Sequence, residues 1–239
     1  MPKRLFGVST HLYRMQRLSR EHLLEIASQG FEAVELLAAP THADYHNPAA
    51  VADLQQWLAE AGLELTSIHR PADIGTAGDS GDVDQALFIA RRIPVKVFVV
   101  HMEGTRDVAR RTVERLAGLA APLGVKIALE AAPDDASPPG SLVHVVEEEL
   151  DAEVGIALDL GREHRHGDLI DAIETVAEHL MAVHVPLEST IDWPSALTTV
   201  QKIGYEGPLI FGMDARGSTK ETLARAKAAR QQMERLLAL

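Results

Sequence analysis

Short apolar runs of β-forming residues recur along this chain, and each is followed by a segment of helical pattern. The runs are Leu5–Ser9, Ala33–Leu37, Leu63–His69, Val95–His101, Gly124–Glu130, Val154–Asp159, Met181–Val185 and Pro208–Gly212. Between and after them lie helices expected over Arg20–Gln29, Pro48–Glu60, Val83–Arg92, Thr105–Ala121, Ser141–Leu150, Asp168 to about Leu180, Asp192–Ile203 and from Ser218 onward. Ser19 and Asp168 are placed as N-caps, Gly30 and Gly62 as stops, and Ser218-Thr-Lys-Glu221 reads as a capping box. Near-continuous apolar strands imply burial on both faces, as in a parallel sheet. Eight β/α units predict one closed TIM-type (β/α)₈ barrel, a single domain over residues 1–239. A G-x-G-x-x-G after the first strand is missing, which weighs against a dinucleotide fold. The ten-residue AAPDDASPPG is the most linker-like segment and is too short for a domain boundary.

Composition narrows the function. With 23 basic and 35 acidic residues the net charge is −12, a surface that repels phosphate backbones and anionic lipid. The expectation is therefore no nucleic-acid partner and no membrane partner. The absence of cysteine excludes disulfides, thiolate chemistry and thiolate metal sites, and it suits a reducing cytoplasm. No signal peptide is recognised at the start, and no apolar run reaches membrane-spanning length.

The strand ends carry the chemistry. His69, His101, Glu130 and Asp159 end the third to sixth strands, and His184 lies near the end of the seventh. His11, His42 and His46 follow strands one and two, and His164 and His166 follow strand six. Eight of the 11 histidines thus fall on the C-terminal side of the strands, where barrels keep their sites. His, Glu and Asp converging there suit Zn, Mn or Mg. Taken singly, each histidine reads first as a rim residue bonded to a backbone carbonyl; Glu130, Asp159 and His184, taken jointly at three adjacent strand ends, read as a site. His42, Asp44 and His46 read as a solvated loop. Lys96 and Lys126 sit at strand starts, the wrong face for a Schiff-base enzyme. Arg216–Lys220 reads as a helix cap before it reads as a phosphate cradle.

The segments GFEAVEL, SIH, VVH, IALEAAP, GIALDLG, VHV and GYEGPLIF, in that order, resemble the xylose isomerase-like barrel superfamily, in particular bacterial sugar phosphate isomerase/epimerase-type proteins. The resemblance implies a divalent metal held by Glu130, Asp159, His184 and a Glu at position 212. It implies metal-assisted proton transfer α to a carbonyl, with Glu130 as ligand and base. His69, His101, Arg162 and His11 are the candidate contacts for a sugar or sugar phosphate, and Glu35, an inward polar group in the family, is read either as support for the site or as an ion-pair partner inside the mouth. The resemblance leaves the oligomeric state open.

The chain departs from that pattern. Position 212 is Gly, so one ligand and one base are missing. Arg162 replaces an expected His and sets a fixed positive charge beside Asp159, and PLEST after strand seven is short. Asp214 or His164 are candidate replacements. These departures predict that metal binding is weakened or absent. They favour a second reading, a barrel that keeps the scaffold without the activity, either a divergent binding protein or an engineered scaffold. An apurinic endonuclease-like metal hydrolase is a third, because His69 and His101 match its early ligands.

Overall fold

The computed structural model describes residues 4–70, 80–101, 106–131, 137–150, 153–187, 190–213 and 218–238. Eight parallel strands close into a barrel in sequence order, with β8 pairing back to β1. They are β1 Phe6–Ser9, β2 Ala33–Leu37, β3 Glu64–Arg70, β4 Val97–His101, β5 Lys126–Glu130, β6 Val154–Asp159, β7 Leu180–Val185 and β8 Leu209–Phe211. The (β/α)₈ architecture expected from the alternation is the one observed. Several strands start one or two residues later than the apolar runs do, because pairing rather than hydrophobicity sets their ends.

The helices on the outside are α1 Arg20–Ser28, α2 Pro48–Ala61, α3 Ser80–Leu87, α4 Arg106–Ala120, α5 Pro139–His144, α6 Leu160–His166, α7 Leu169–Thr175, α8 Trp193–Lys202 and α9 Thr219–Leu237. Gly62 ends α2 at φ 66°, a left-handed position that glycine takes without strain. Asp168 caps α7 by accepting from the Ile170 and Asp171 amides. Ser218 occupies the N-cap position of α9 without a side-chain cap bond, so the expected capping box is not formed there. The expected helix Ser141–Leu150 instead begins at Pro139, which needs no N–H partner in a first turn, and ends as a π-turn over Val145–Glu149. α6 is an addition: the charged stretch after Asp159 is helical rather than a loop.

Residues two apart on a strand share a face. Val99, Ala128, Ala157 and Ala182 form a small buried cluster inside the barrel. His101, Glu130, Asp159 and His184 are each two residues further on. The alternate residues, such as Phe98, Leu129, Leu158 and Val183, join the larger core between sheet and helices. Two register shifts break this alternation. Val34 pairs with Leu65 but Glu35 with Ser67, and Ile156 pairs with Leu180 but Ala157 with Ala182. Thr66 and Met181 are the extra residues at these two β-bulges. No helix among the described residues is long and apolar enough to cross a membrane.

Candidate metal centre at the barrel mouth

Five side chains from β2, β3, β4, β5 and β7 meet just inside the C-terminal mouth. Glu35, His101, Glu130 and His184 are buried, while the His69 side chain keeps 14% of its surface exposed, which makes it the part nearest solvent. His184 bridges the two carboxylates, with Nδ1 at 2.5 Å from Glu130 Oε1 and Nε2 at 2.8 Å from Glu35 Oε2. Ser67 Oγ donates to the same Glu35 oxygen at 2.8 Å.

The other oxygen of Glu130 faces a different pair. Glu130 Oε2 lies 3.2 Å from His69 Nε2 and 3.1 Å from His101 Nε2. The two imidazole nitrogens are themselves 2.8 Å apart, and the rings stack with centroids at 5.0 Å. His101 Nδ1 is buried and has no hydrogen-bond partner among the described residues. His69 Nδ1 lies 3.7 Å from Glu35 Oε1, so His69 also belongs to a second group with Glu35 and His184.

Electrostatics follow from this packing. Burial disfavours an ionised carboxylate, but the His184 imidazolium outweighs it and brings Glu35 down to about 2. Burial also opposes ionisation of Glu130, yet His184 and His69 hold it well below the usual carboxylate range. Burial would lower His184, and the two carboxylates instead raise it well above an ordinary imidazole. The group is therefore two carboxylates bridged by one imidazolium, flanked by two further histidines.

The donor set fits a divalent transition ion. Imidazole nitrogen and carboxylate oxygen are its usual ligands. Ligand atoms around one tetrahedral zinc stand roughly 3.3 Å apart, given bonds near 2.0 Å. The triangle of His69 Nε2, His101 Nε2 and Glu130 Oε2, with edges of 2.8, 3.1 and 3.2 Å, is close to that spacing. His184 holds the far oxygen of Glu130 and so fixes the orientation of that ligand.

Other residues singled out in the sequence stand elsewhere. Asp159 Oδ1 accepts from the amides of Gly161 at 2.8 Å and Arg162 at 3.1 Å, capping α6. It belongs to neither group of clustered ligand atoms. A Cβ at Gly161 would stand 2.9 Å from Pro186 Cβ, so only glycine lets α6 turn this tightly against the loop after β7. Arg162 is only 2% exposed; its guanidinium pairs with Glu163 and donates to the Ser137 carbonyl at 2.8 Å. Burial raises the Glu163 carboxyl despite Arg162. Arg162 therefore forms part of the wall rather than an open substrate contact.

His11 is half-buried, with its ring 3.3 Å from the Arg14 guanidinium, outside the cluster. The solvated-loop reading of His42 does not hold. It is fully buried, contacting the Gln16 carbonyl at 2.8 Å and Thr10 Oγ1 at 3.1 Å. Asp44 and His46 are surface partners of Arg17 and Asp82. His164 contacts Thr190 at 3.1 Å. Asp214, and Arg216 and Gly217 of the phosphate-cradle segment, lie outside the described residues. Ser67 was missed, although its place two residues before His69 put it on the same face.

The profile of the xylose isomerase-like TIM barrel family matches residues 23–239. No curated protein matches the chain by sequence. Among solved structures, a xylose isomerase-like TIM barrel protein from Mycobacterium smegmatis in complex with magnesium superposes with a TM-score of 0.81 at 16% identity, covering 99% of this chain and 97% of that one. A xylose isomerase domain protein from Planctomyces limnophilus gives 0.78 at 18%, covering 100% and 99%. D-Psicose 3-epimerase from Clostridium cellulolyticum H10, solved with D-tagatose, gives 0.78 at 15%, covering 98% and 99%. The closed eight-stranded barrel and the family match over most of its length place this chain in the xylose isomerase-like TIM barrel family.

Proposed function

We propose that the protein is a metal-dependent catalyst of proton transfer α to a carbonyl, acting on a small sugar or sugar phosphate in the manner of an isomerase. The observation that carries this reading is the meeting of His69, His101 and Glu130 at ligand spacing beneath the barrel mouth. Those three residues would hold a divalent ion such as Zn, Mn or Mg, with His184 and Glu35 as their supports. When bound, the ion supplies the positive charge that polarises a carbonyl and a neighbouring hydroxyl and acidifies the C–H between them.

The residues of the chain then divide the work. Glu130 is the carboxylate we assign to move the proton, and His184 keeps it oriented. The depressed Glu130 carboxyl makes it a weak base, so the reaction depends on acidification of the substrate. Position 212 carries no side chain, so the described residues offer no second carboxylate at the end of β8. One base on one face suits a 1,2-isomerisation better than an epimerisation, which moves a proton between two faces. The D-psicose 3-epimerase likeness supports a sugar-sized substrate for the fold, and the net charge of −12 argues against nucleic acid. The lack of cysteine fits a cytoplasmic setting.

A second reading is a barrel that keeps the cluster but not the sugar chemistry. It is favoured by Asp159, whose carboxylate is committed to capping α6. Two measurements separate them. Elemental analysis of dialysed protein should find stoichiometric metal in the wild type and none in His69→Ala/His101→Ala. Incubation with aldoses and ketoses in D₂O should wash deuterium into the carbon α to the carbonyl, read by proton NMR. Metal without deuterium exchange, or no metal in either protein, removes the first reading and selects the second.

A further inference from the structure

The opposite end of the barrel holds a cavity of about 190 Å³. Its walls include Val97, Met181, Ala182 and Ile210, and its inner end is made by Thr66 and Ser67. Barrel interiors are ordinarily filled by layers of bulky branched side chains. Here the inner positions of β5 to β7 are Ala128, Ala157 and Ala182, and Gly155 lets the Met181 side chain lie directly over its Cα. The two bulges enlarge the space further, because each puts two consecutive residues on the cavity wall: Thr66 with Ser67, and Met181 with Ala182. The opening is at the N-terminal rim, where Lys96 and Glu64 are exposed and pair with each other at 3.4 Å.

The polar chemistry of the inner end is one-sided. The Thr66 hydroxyl donates its single proton to the Val34 carbonyl at 3.2 Å. The Ser67 hydroxyl donates to Glu35 Oε2 at 2.8 Å. Each oxygen then has only lone pairs to offer, so a guest must bring a donor. A charged donor would have to shed its hydration among alkyl side chains, at high cost. An apolar cavity of roughly 150 Å³ is known to take benzene. We infer that this cavity is a binding site for a small neutral alcohol or phenol, with its apolar body against Val97, Ala182 and Ile210 and its hydroxyl donating to Thr66 or Ser67. The site is separate from the mouth and does not rest on the proposed reaction. Through Ser67 it touches the same carboxylate that His184 holds.

Phenol and benzene titrated into methyl-labelled protein test this. Phenol should shift the methyl signals of Met181, Ala182 and Ile210 saturably and leave the mouth unshifted. Benzene should bind the same methyls about three- to tenfold more weakly, the usual loss for one hydrogen bond. Ala182→Leu should abolish both by filling the cavity. Thr66→Val and Ser67→Ala each remove one of the two acceptors with little change of volume, and one of them should bring phenol down towards benzene, which keeps the test valid if the leucine variant does not fold. Shifts that do not saturate, that persist in a folded Ala182→Leu protein, or that are equal for phenol and benzene in the wild type would overturn the assignment.

Discussion

Glu130 and Asp159 end neighbouring parallel strands on the same inner face, yet only Glu130 enters the cluster of candidate metal ligands. Two differences separate them. The pairing of Leu129 with Ile156 sets Glu130 opposite Ala157 and leaves Asp159 two residues, about 7 Å, nearer the rim. The segments after the two strands also differ. Among the described residues no helix follows β5 before Pro139, and the Glu130 carboxylate points inward to meet His184, His69 and His101. β6 runs straight into α6, whose first amides need an acceptor, and Asp159 supplies it. The helix that follows β6 directly is what turns its strand-end carboxylate into a cap.

The comparison is tested most severely by removing each carboxylate in turn. Glu130→Ala should leave the buried His184 with one anionic partner instead of two and break the His69–His101–Glu130 group. Glu35 still balances the His184 charge, so the expected loss of about 3–5 kcal/mol comes from the missing charge-assisted hydrogen bond and from the cavity left by a buried side chain. In a chain of this size that is roughly 10 °C in thermal midpoint, together with loss of bound metal on elemental analysis. A Glu130→Ala protein that melts with the wild type and retains metal would show that the cluster is not the centre.

Acid should act on the cluster in the same sense, somewhat more weakly. The Glu35 carboxyl is lowered from 4.5 to about 2 in the folded protein. Its contribution, about 3 kcal/mol, is fully present above pH 4.5 and is lost as the pH falls towards 2. His184 behaves oppositely: its raised value gives stability that is present below about 6.5 and lost as the pH rises through the folded value. Urea midpoints at pH 6 and pH 3 should therefore fall further in the wild type than in Glu35→Gln. Equal falls would mean that Glu35 is not ionised against His184.

Asp159→Ala should cost much less, about 1 kcal/mol for a lost helix cap, and should leave the metal content unchanged. Asp159→Asn keeps an acceptor and should recover most of that loss. If Asp159→Ala released the metal instead, the carboxylate would be a ligand after all and the contrast with Glu130 would collapse.

These differences explain what could be read in advance. The eight β/α units were legible because strands buried on both faces must be apolar throughout. The meeting of His69, His101, Glu130 and His184 at one end of the barrel was legible because chemistry-bearing residues stood out at strand ends, but their grouping was not. The sequence pattern set His184 with Asp159 as ligands and His69 with His101 as substrate contacts, whereas the close groups pair His69 with His101 and Glu130, and with Glu35 and His184. The role of Asp159 was hidden by the helix after it, which begins without the Glu or Gln three residues on that would mark a capping box. Arg162 looked like a charge set beside Asp159, but α6 turns its side chain to Glu163 and the Ser137 carbonyl. His42 looked solvated because its partners Thr10 and Gln16 lie far away in sequence. The bulges at Thr66 and Met181 leave no local signature, since they are properties of a pair of strands.

The smallest expected effect comes from Gly212, just past the end of β8. Among the described residues, a Cβ placed there would meet only His184 Cβ, at 3.9 Å, an ordinary contact. The amide of residue 212, which donates to the Val185 carbonyl at 3.1 Å, is retained in any substitution but proline. Gly212→Glu should therefore fold with a stability within about 1 kcal/mol of wild type, as substitutions without a clash or an orphaned group generally do. Its metal affinity separates two placements of the ion. With the ion held by His69, His101 and Glu130, a carboxylate arriving beside His184 adds no ligand, and affinity should change less than threefold. With the ion held instead by His184 and Asp159, the new carboxylate completes that set, and affinity should rise tenfold or more. Competition with a chromogenic chelator measures the difference, and the larger rise would move the centre from the Glu130 end of the comparison to the Asp159 end.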